Sequence, residues 1–259
     1  MGLKLKRNIN LIMRKLKKRL IESRKLPSQF GPQGDRTACF IPIKKNSKRI
    51  KDKNFQFIDG KKLYEITLEK AIYLKSKGLF EEVFVDTDSK EIADYCLSKN
   101  ICHIPREDFL KSDQANGNHL LESWIQKFPE YDIYAQLHVT APFLELASIE
   151  DCIAKVKDTA LWDYDSSLTA VEEYSWYWFN KKPINYLPEV LPRSQDASPL
   201  IRESTALYVI KKDTFRQKKC RIGYNPYFCL TKDYEAIDLD NPIDLKIAKT
   251  ISKELIHED

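Results

Sequence analysis

Long apolar runs are absent from this chain of 259 residues. No stretch approaches the roughly 20 apolar residues that a membrane-crossing helix needs. Glycine is scarce, at seven, and proline is limited to twelve, which excludes a collagen-like or low-complexity chain. Neither GxGxxG nor a Walker-type loop occurs, so the common glycine-rich phosphate signatures are missing. The six cysteines (Cys39, Cys96, Cys102, Cys152, Cys220 and Cys229) form no CxxC pair and no Cys/His set at metal-ligand spacing. That argues against structural zinc. Several of them sit inside apolar runs and read as buried thiols of a reducing compartment, which points to the cytoplasm.

Charge is present but unevenly placed. Residues 1–34 hold ten Lys or Arg and one acid, a net +9, whereas residues 35–259 hold 33 basic and 37 acidic residues, a net −4. The body is mildly acidic, which speaks against nucleic-acid binding. In the N-terminal extension, Ile9, Ile12, Leu16 and Leu20 recur near helical spacing among basic residues. Residues 1–36 therefore read as a basic amphipathic helix and a Pro/Gly-punctuated linker. A solvated helix, an anionic membrane surface met by residues 1–25, a partner and an organellar presequence all remain compatible with it.

From residue 37 onward apolar strands alternate with helical patterns. TACFIPI (37–43), EEVFVDTD, ICHIP, YDIYAQLHVTAP, SSLTAVEE, STALYVI and EAIDLD read as strands or short extended pieces. LYEITLEKAIYLKSKG, SKEIADYCLSKN, NHLLESWIQKF, SIEDCIAKVKD and DNPIDLKIAKTISKELI read as helices, with Ser89 and the Ser of SIED as N-caps and Gly78 as a C-terminal stop. The alternation predicts an α/β fold, a mostly parallel sheet with helices on both faces. Ligands of such sheets gather outside the carboxyl ends of the strands.

Several constellations crowd that edge. "IPIKKNSKRIKDKN" (41–54) carries six Lys or Arg and one acid directly after the first strand. Composition leaves two readings open, a solvated loop and a polyphosphate cradle. In "AIDLDNPIDLKIAK", alternation along an extended strand puts Asp238 and Asp240 on one face, where they suit a hard cation such as Mg²⁺; Asp240 as a helix cap is the competing reading. Asp86 and Asp88 leave the second strand toward the same edge, as acceptors for a ribose hydroxyl or support for a metal. His138 and Thr140 end a central strand, and a packed structural histidine is the plain alternative. Arg193, Gln195 and Arg202 precede a late strand, the arginines either clamping an anion or lying on the surface.

Taken in order, these stretches resemble the acylneuraminate cytidylyltransferases, the CMP-sugar-acid synthetases, over about residues 37–250. "IPIKKNSKRIKDKN" is similar to [IL]PARxxSKxxxxKN, matching at Pro42, Ser47, Lys48, Lys53 and Asn54, with Lys44 at an Arg position. "VFVDTDSKEIA" resembles STDSEEIA with Asp86 for Ser, and "KSDQA" resembles SDTA. "AQLHVTAPFL" is similar to LLQPTSPLR with His138 for Gln. "RSQDASPLIRESTALYVI" keeps Arg193, Gln195 and Arg202 but has Ser204-Thr205 for Asn-Gly, and "AIDLDNPIDLKIA" follows IDIDTPEDLxxA.

The resemblance implies a Rossmann-like nucleotidyltransferase fold over residues 37–259. It also implies a homodimer with residues 170–200 as a dimerisation arm, and CTP-dependent activation of a 2-keto sugar acid with Mg²⁺. It places Pro42, Lys44, Ser47, Lys48, Lys53, Asn54, Asp88 and His138 at the nucleotide. His138, Thr140, Arg193, Gln195 and Arg202 fall on the sugar side, Asp238 and Asp240 at the metal, and Lys44, Lys53 and Asp240 in the chemistry. A phosphate or phosphonate acceptor on the same fold, and a catalytically degenerate binding protein, stand as alternatives.

Overall fold

The structure is a computed structural model that describes residues 35–257. The amphipathic helix read into residues 1–25, and its membrane contact, lie outside the described residues. In chain order the elements are β1 (Thr37–Ile43), β2 (Phe57–Ile58), β3 (Lys61–Lys62), α1 (Leu63–Ser76), β4 (Glu82–Thr87), α2 (Lys90–Ser98), β5 (Cys102–Pro105), α3 (Asp108–Lys111) and α4 (Gly117–Lys127). There follow β6 (Ile133–Leu137), α5 (Leu146–Lys157), β7 (Ser166–Glu173), β8 (Trp178–Phe179), β9 (Lys182–Pro183), β10 (Leu200–Lys211), α6 (Lys212–Lys218), β11 (Pro226–Leu230) and α7 (Pro242–His257).

Seven strands form one sheet in the order β11-β7-β10-β6-β1-β4-β5. β1 runs parallel to β4 and β6, β4 to β5, and β11 to β7, while β10 is antiparallel to both its neighbours. The mostly parallel sheet expected from the alternation is present.

Both faces of the sheet are covered, which is why β1 reads as a continuous apolar run rather than an alternating one. Cys39, Ile41 and Ile43 point to the face packed by α1, α2 and α5 through Leu68, Ile92 and Ile153. Ala38 and Phe40 point to the opposite face, under α4 and α6, where Phe40 stacks on Trp124 with centroids 4.9 Å apart. α1 ends as the sequence indicates: Gly78 adopts φ +77°, a conformation that favours glycine after a helix. Ser89 caps α2 by accepting from the Ile92 amide at 3.4 Å.

Three local expectations are corrected. Residues 237–240 form no strand; they follow a short 3₁₀ turn (Asp233–Ala236) in extended backbone, tied to the sheet edge by Leu239 N donating to Thr140 O at 2.8 Å. α5 starts at Leu146, so the Ser of SIED lies inside the helix, and Ser148 Oγ donates to Glu235 instead of capping. Asp86 does not face a ligand edge. It shares the alternate face of β4 with Phe84 and is fully buried beneath α4, where Arg106 Nε (2.6 Å) and Trp124 Nε1 (2.7 Å) donate to its two oxygens. A buried carboxylate needs such partners, and breaking the pair would cost about 3–5 kcal/mol.

Candidate active site

β1 is the point where the strand order reverses, with β4 on one side and β6 on the other. In open α/β sheets that reversal opens a crevice at the carboxyl ends of the strands. A cleft of about 330 Å³ lies there, lined by Pro42 from β1, by Lys44, Ser47, Lys48, Arg49, Lys53 and Asn54 from the following loop, and by Asp113. His138, Val139 and Thr140, just after β6, form its other wall.

The lysine-rich loop is anchored rather than loose. Asn54 is buried and donates Nδ2 to Lys44 O at 2.7 Å. The Lys45 amide donates to Asp88 Oδ1 at 2.6 Å, so Asp88 shapes the loop from behind instead of lining the cleft. Gln56 Nε2 holds Lys51 O at 3.0 Å.

Charge in the cleft is unbalanced. Lys44 and Lys48 converge on Asp113, at 3.8 and 2.5 Å. Arg49 and Lys53 converge on Asp240 Oδ1, at 2.8 and 3.1 Å. Four cations thus share two carboxylates, an arrangement that a polyanion relieves. Asp240 does not serve as a helix cap. The capping oxygen is Asp244 Oδ2, which accepts from the Asp240 and Asn241 amides.

Among the described residues three buried polar atoms at this edge lack a hydrogen-bond partner: Asn54 Oδ1 and His138 Nε2, of residues that line the cleft, and Asp238 Oδ1, of a residue that does not. Buried polar atoms are nearly always paired, so orphans gathered around one cleft mark a place where a ligand completes the bonding. Asp238 uses its other oxygen to accept from Thr205 Oγ1 at 2.9 Å. Thr205 holds φ +58°, left-handed backbone that a β-branched residue rarely adopts. It lies in the irregularity where β10 breaks its pairing with β7 between Glu203 and Tyr208. A strained residue beside an unpartnered carboxylate is the kind of cost that functional sites retain.

Burial pushes the His138 imidazole down to about 3, with the Arg221, Lys53 and Arg106 charges adding to the effect. It is neutral at pH 7, so it offers a hydrogen bond and not a charge. Because the folded value lies below the ordinary 6.5, the unfolded chain takes up the proton first as pH falls. The stability that His138 contributes is therefore fully present above about pH 6.5 and is lost on the way down to about 3. In urea titrations, His138→Gln should flatten the fall in stability between pH 6.5 and 4 by a few kcal/mol (~). An unaltered slope would mean that the imidazole titrates normally.

The three residues that the sequence placed on the acceptor side lie elsewhere within one chain. Arg193 is exposed and pairs with Asp196, Gln195 is exposed, and Arg202 pairs with Glu173. None of the three lines the cleft. Reading the sequence missed Asp113, although the Ser-Asp of "KSDQA" was its signal. It also missed two groups, one part-buried and one buried, that fasten the turn following Thr140. Lys70 Nζ donates to Pro142 O and Leu144 O at 2.6 and 2.7 Å, and burial lowers its pKa to about 8. Glu235 Oε2 accepts from Glu145 N and Ser148 Oγ at 2.9 and 2.7 Å. Nothing in their sequence context sets them apart from surface charges.

Known proteins resemble this chain in sequence or in fold. The N-acylneuraminate cytidylyltransferase of Streptococcus agalactiae serotype V is 25% identical over 210 residues, covering 78% of this chain and 50% of the relative. The chain spans about half the length of the streptococcal relatives it matches. The pseudaminic acid cytidylyltransferase of Campylobacter jejuni serotype O:2 is 24% identical over 229 residues, covering 83% of this chain and 95% of the relative. Among solved structures, CMP:2-keto-3-deoxy-manno-octonic acid synthetase complexed with CTP superposes with a TM-score of 0.61 at 18% identity, covering 85% of this chain and 99% of that one. At that identity the likeness is one of fold. A model of the cytidylyltransferase family matches residues 38–238, most of the chain, and the chain belongs to that family.

Proposed function

We propose that the chain transfers the CMP group of CTP to the anomeric hydroxyl of a 2-keto sugar acid and releases pyrophosphate. The observation that carries this is the cleft in which Lys44, Lys48, Arg49 and Lys53 share only two carboxylates at the strand reversal. The relatives' names add the nucleotide and the class of acceptor.

In the reaction the acceptor hydroxyl oxygen forms a bond to the α-phosphorus. The bond from that phosphorus to the oxygen bridging to the β-phosphate breaks, pyrophosphate leaves with the electron pair, and the hydroxyl proton is released. Such a transfer asks little covalent chemistry of the protein, so positioning and electrostatic stabilisation dominate. Lys44, Ser47, Lys48 and Lys53 hold the β- and γ-phosphates, and Lys44 and Lys53 offset the charge that grows on the leaving group. Asn54 keeps the loop in shape through Lys44 O. His138 offers Nε2 to the substrate from the opposite wall.

The residues fit a magnesium ion. Asp238 has an unpartnered buried oxygen, Asp240 stands two residues on, and no group of three or more candidate ligands occurs among the described residues. Magnesium is commonly held by one or two carboxylates together with substrate phosphates and water. Asp238 and Asp240 would hold it, and when bound it supplies Lewis-acid polarisation of the phosphoryl oxygens.

The reading extends to a homodimer. Residues 170–200 expose Trp178 (56%), Phe179 (67%), Leu187 (65%) and Val190 (71%), more apolar surface than a solvated hairpin needs. A second copy covers it, and the arm brings Arg193 and Gln195, with Arg202 just after it on β10, toward the partner's cleft. Phe179→Asp together with Leu187→Asp should convert a dimer to a monomer in sedimentation experiments. A wild-type chain that sediments as a monomer at micromolar concentration would remove the arm from this role. No helix among the described residues is long and apolar enough to cross a membrane. The free buried thiols Cys39, Cys96, Cys152 and Cys229 support a reducing compartment, and we place the reaction in the cytoplasm.

The deciding experiment measures pyrophosphate release with Mg²⁺, comparing CTP with the other three nucleotides across a panel of 2-keto sugar acids. Release with CTP and one acid is expected. Release only with a phosphorylated acceptor would replace the acceptor class, and failure to bind CTP at all would overturn the reading.

A further inference from the structure

Behind His138, which lines the cleft, lies a cluster that the phosphate chemistry does not use. Gln136 lies two residues before His138 on β6 and therefore shares its face of the sheet. Tyr208 on β10 is its cross-strand partner, and the Tyr208 ring meets His138 edge-on with centroids 6.3 Å apart. Arg221, in the loop between α6 and β11, lies over Tyr208 with its guanidinium carbon 3.5 Å from the ring centre.

Arg221 is held but not neutralised. Its amide donates to Asn118 Oδ1 at 2.9 Å and its Nη1 to Gln136 Oε1 at 3.3 Å, both neutral acceptors. Among the described residues no carboxylate pairs with its guanidinium. Glu203, an acid in contact with this cluster, accepts from Tyr208 Oη at 2.6 Å. The group is partly buried, and Gly117 leaves it room: a Cβ there would come within 2.4 Å of Nη1. A guanidinium carries five N–H donors in a planar fork, so most of its donors have no protein acceptor among the described residues. Stacking on an aromatic ring fixes the plane of that fork without satisfying it. Its field reaches the cleft, because Arg221 is the foremost charge acting on His138 after burial itself.

We infer that Arg221 receives the carboxylate of the acceptor, opposite the lysine loop that receives the phosphates. The inference rests on the sugar-acid reading above and names the residue within one chain that reads the acid group. A fixed, unsatisfied fork matches a carboxylate in two-point hydrogen bonding better than it matches a hydroxyl or an amide. The two ends of the cleft thereby divide the work. Flexible lysines take the polyphosphate, and a stacked arginine orients the smaller anion so that its neighbouring hydroxyl faces the nucleotide.

The test compares acid with amide. Binding of N-acetylneuraminate, 3-deoxy-manno-octulosonate and pseudaminate, and of their carboxamides, is measured by calorimetry on the full chain, with pyrophosphate release from CTP followed in parallel. Wild type should favour at least one acid over its amide by about tenfold to a hundredfold. Arg221→Met should reduce that ratio to below about threefold while leaving CTP affinity unchanged, and Arg221→Lys should keep part of it. A structural role for Arg221 would weaken acid and amide alike, and that result overturns the inference. So does an Arg221→Met variant that keeps the wild-type ratio, or a wild type that binds none of the acids. Discrimination that depends on Arg221 but comes without pyrophosphate release would sustain the carboxylate site and overturn the proposed transfer instead.

Discussion

Asp240→Asn should lower kcat/KM for pyrophosphate release by about a thousandfold or more while the protein stays folded. The substitution is nearly isosteric, and what it removes is one negative charge. In the free protein that charge holds Arg49 and Lys53 together. Arg49 is largely exposed, so its share of the pair is worth little, and the fold should lose no more than about 1 kcal/mol. On the proposed reading the same carboxylate would join Asp238 in holding the metal. Losing it removes an interaction that matters most as charge builds on the phosphates. The variant also releases Arg49 and Lys53 from their internal partner. Binding of CTP in the absence of divalent cation should therefore be preserved or tightened. Retained binding with lost turnover separates a catalytic carboxylate from one that merely props up the loop. Turnover within threefold of wild type would take Asp240 out of the metal site.

The alternation of strands and helices was legible because both faces of the sheet are packed. Period and apolar run length report that packing directly, as in TACFIPI and in the α1 sequence ending at Gly78. β11 went unread for the opposite reason. PYFCL is a short edge strand with Phe228 and Leu230 exposed, so burial left no clear pattern on it. Residues 237–240 misled because the alternation of Ile237, Asp238, Leu239 and Asp240 belongs to any extended backbone, paired or not. Here a single bond from Leu239 to Thr140 replaces a ladder. Asp86 misled because a carboxylate at a strand end looks the same in sequence whether water or Trp124 lies above it.

In the site, the charge density of residues 44–53 was visible, and so were the ends of β1 and β6. The acids that organise those charges were harder to see. Asp113 lies in a loop far along the chain from Lys48, and their meeting depends on topology. Arg221 is separated from His138 by 83 positions and reaches it only because β10 returns antiparallel beside β6. The strain at Thr205 follows from backbone geometry, which a Ser-Thr pair in the sequence conceals.

Lys53→Met should raise the dissociation constant for CTP about tenfold to a hundredfold, as expected for losing one charge-assisted hydrogen bond to phosphate. Lys53 is the most sheltered of the four paired cleft cations, with 16% of its side chain exposed, and Asn54 beside it is buried and bonded to Lys44 O. Its ammonium is therefore placed before the nucleotide arrives and is poorly screened by salt. Lys48 makes the contrast, because its side chain is 80% exposed and its partner Asp113 is exposed as well. Lys48→Met should weaken CTP binding by less than about threefold, and what it does contribute should vanish at high ionic strength. Large losses at Lys53 that persist in salt, beside small ones at Lys48 that do not, are the signature of a built phosphate cradle. Equal, salt-sensitive losses at both positions would mean that the loop acts only through its diffuse field. Unchanged affinity in both variants would return residues 44–53 to a solvated surface.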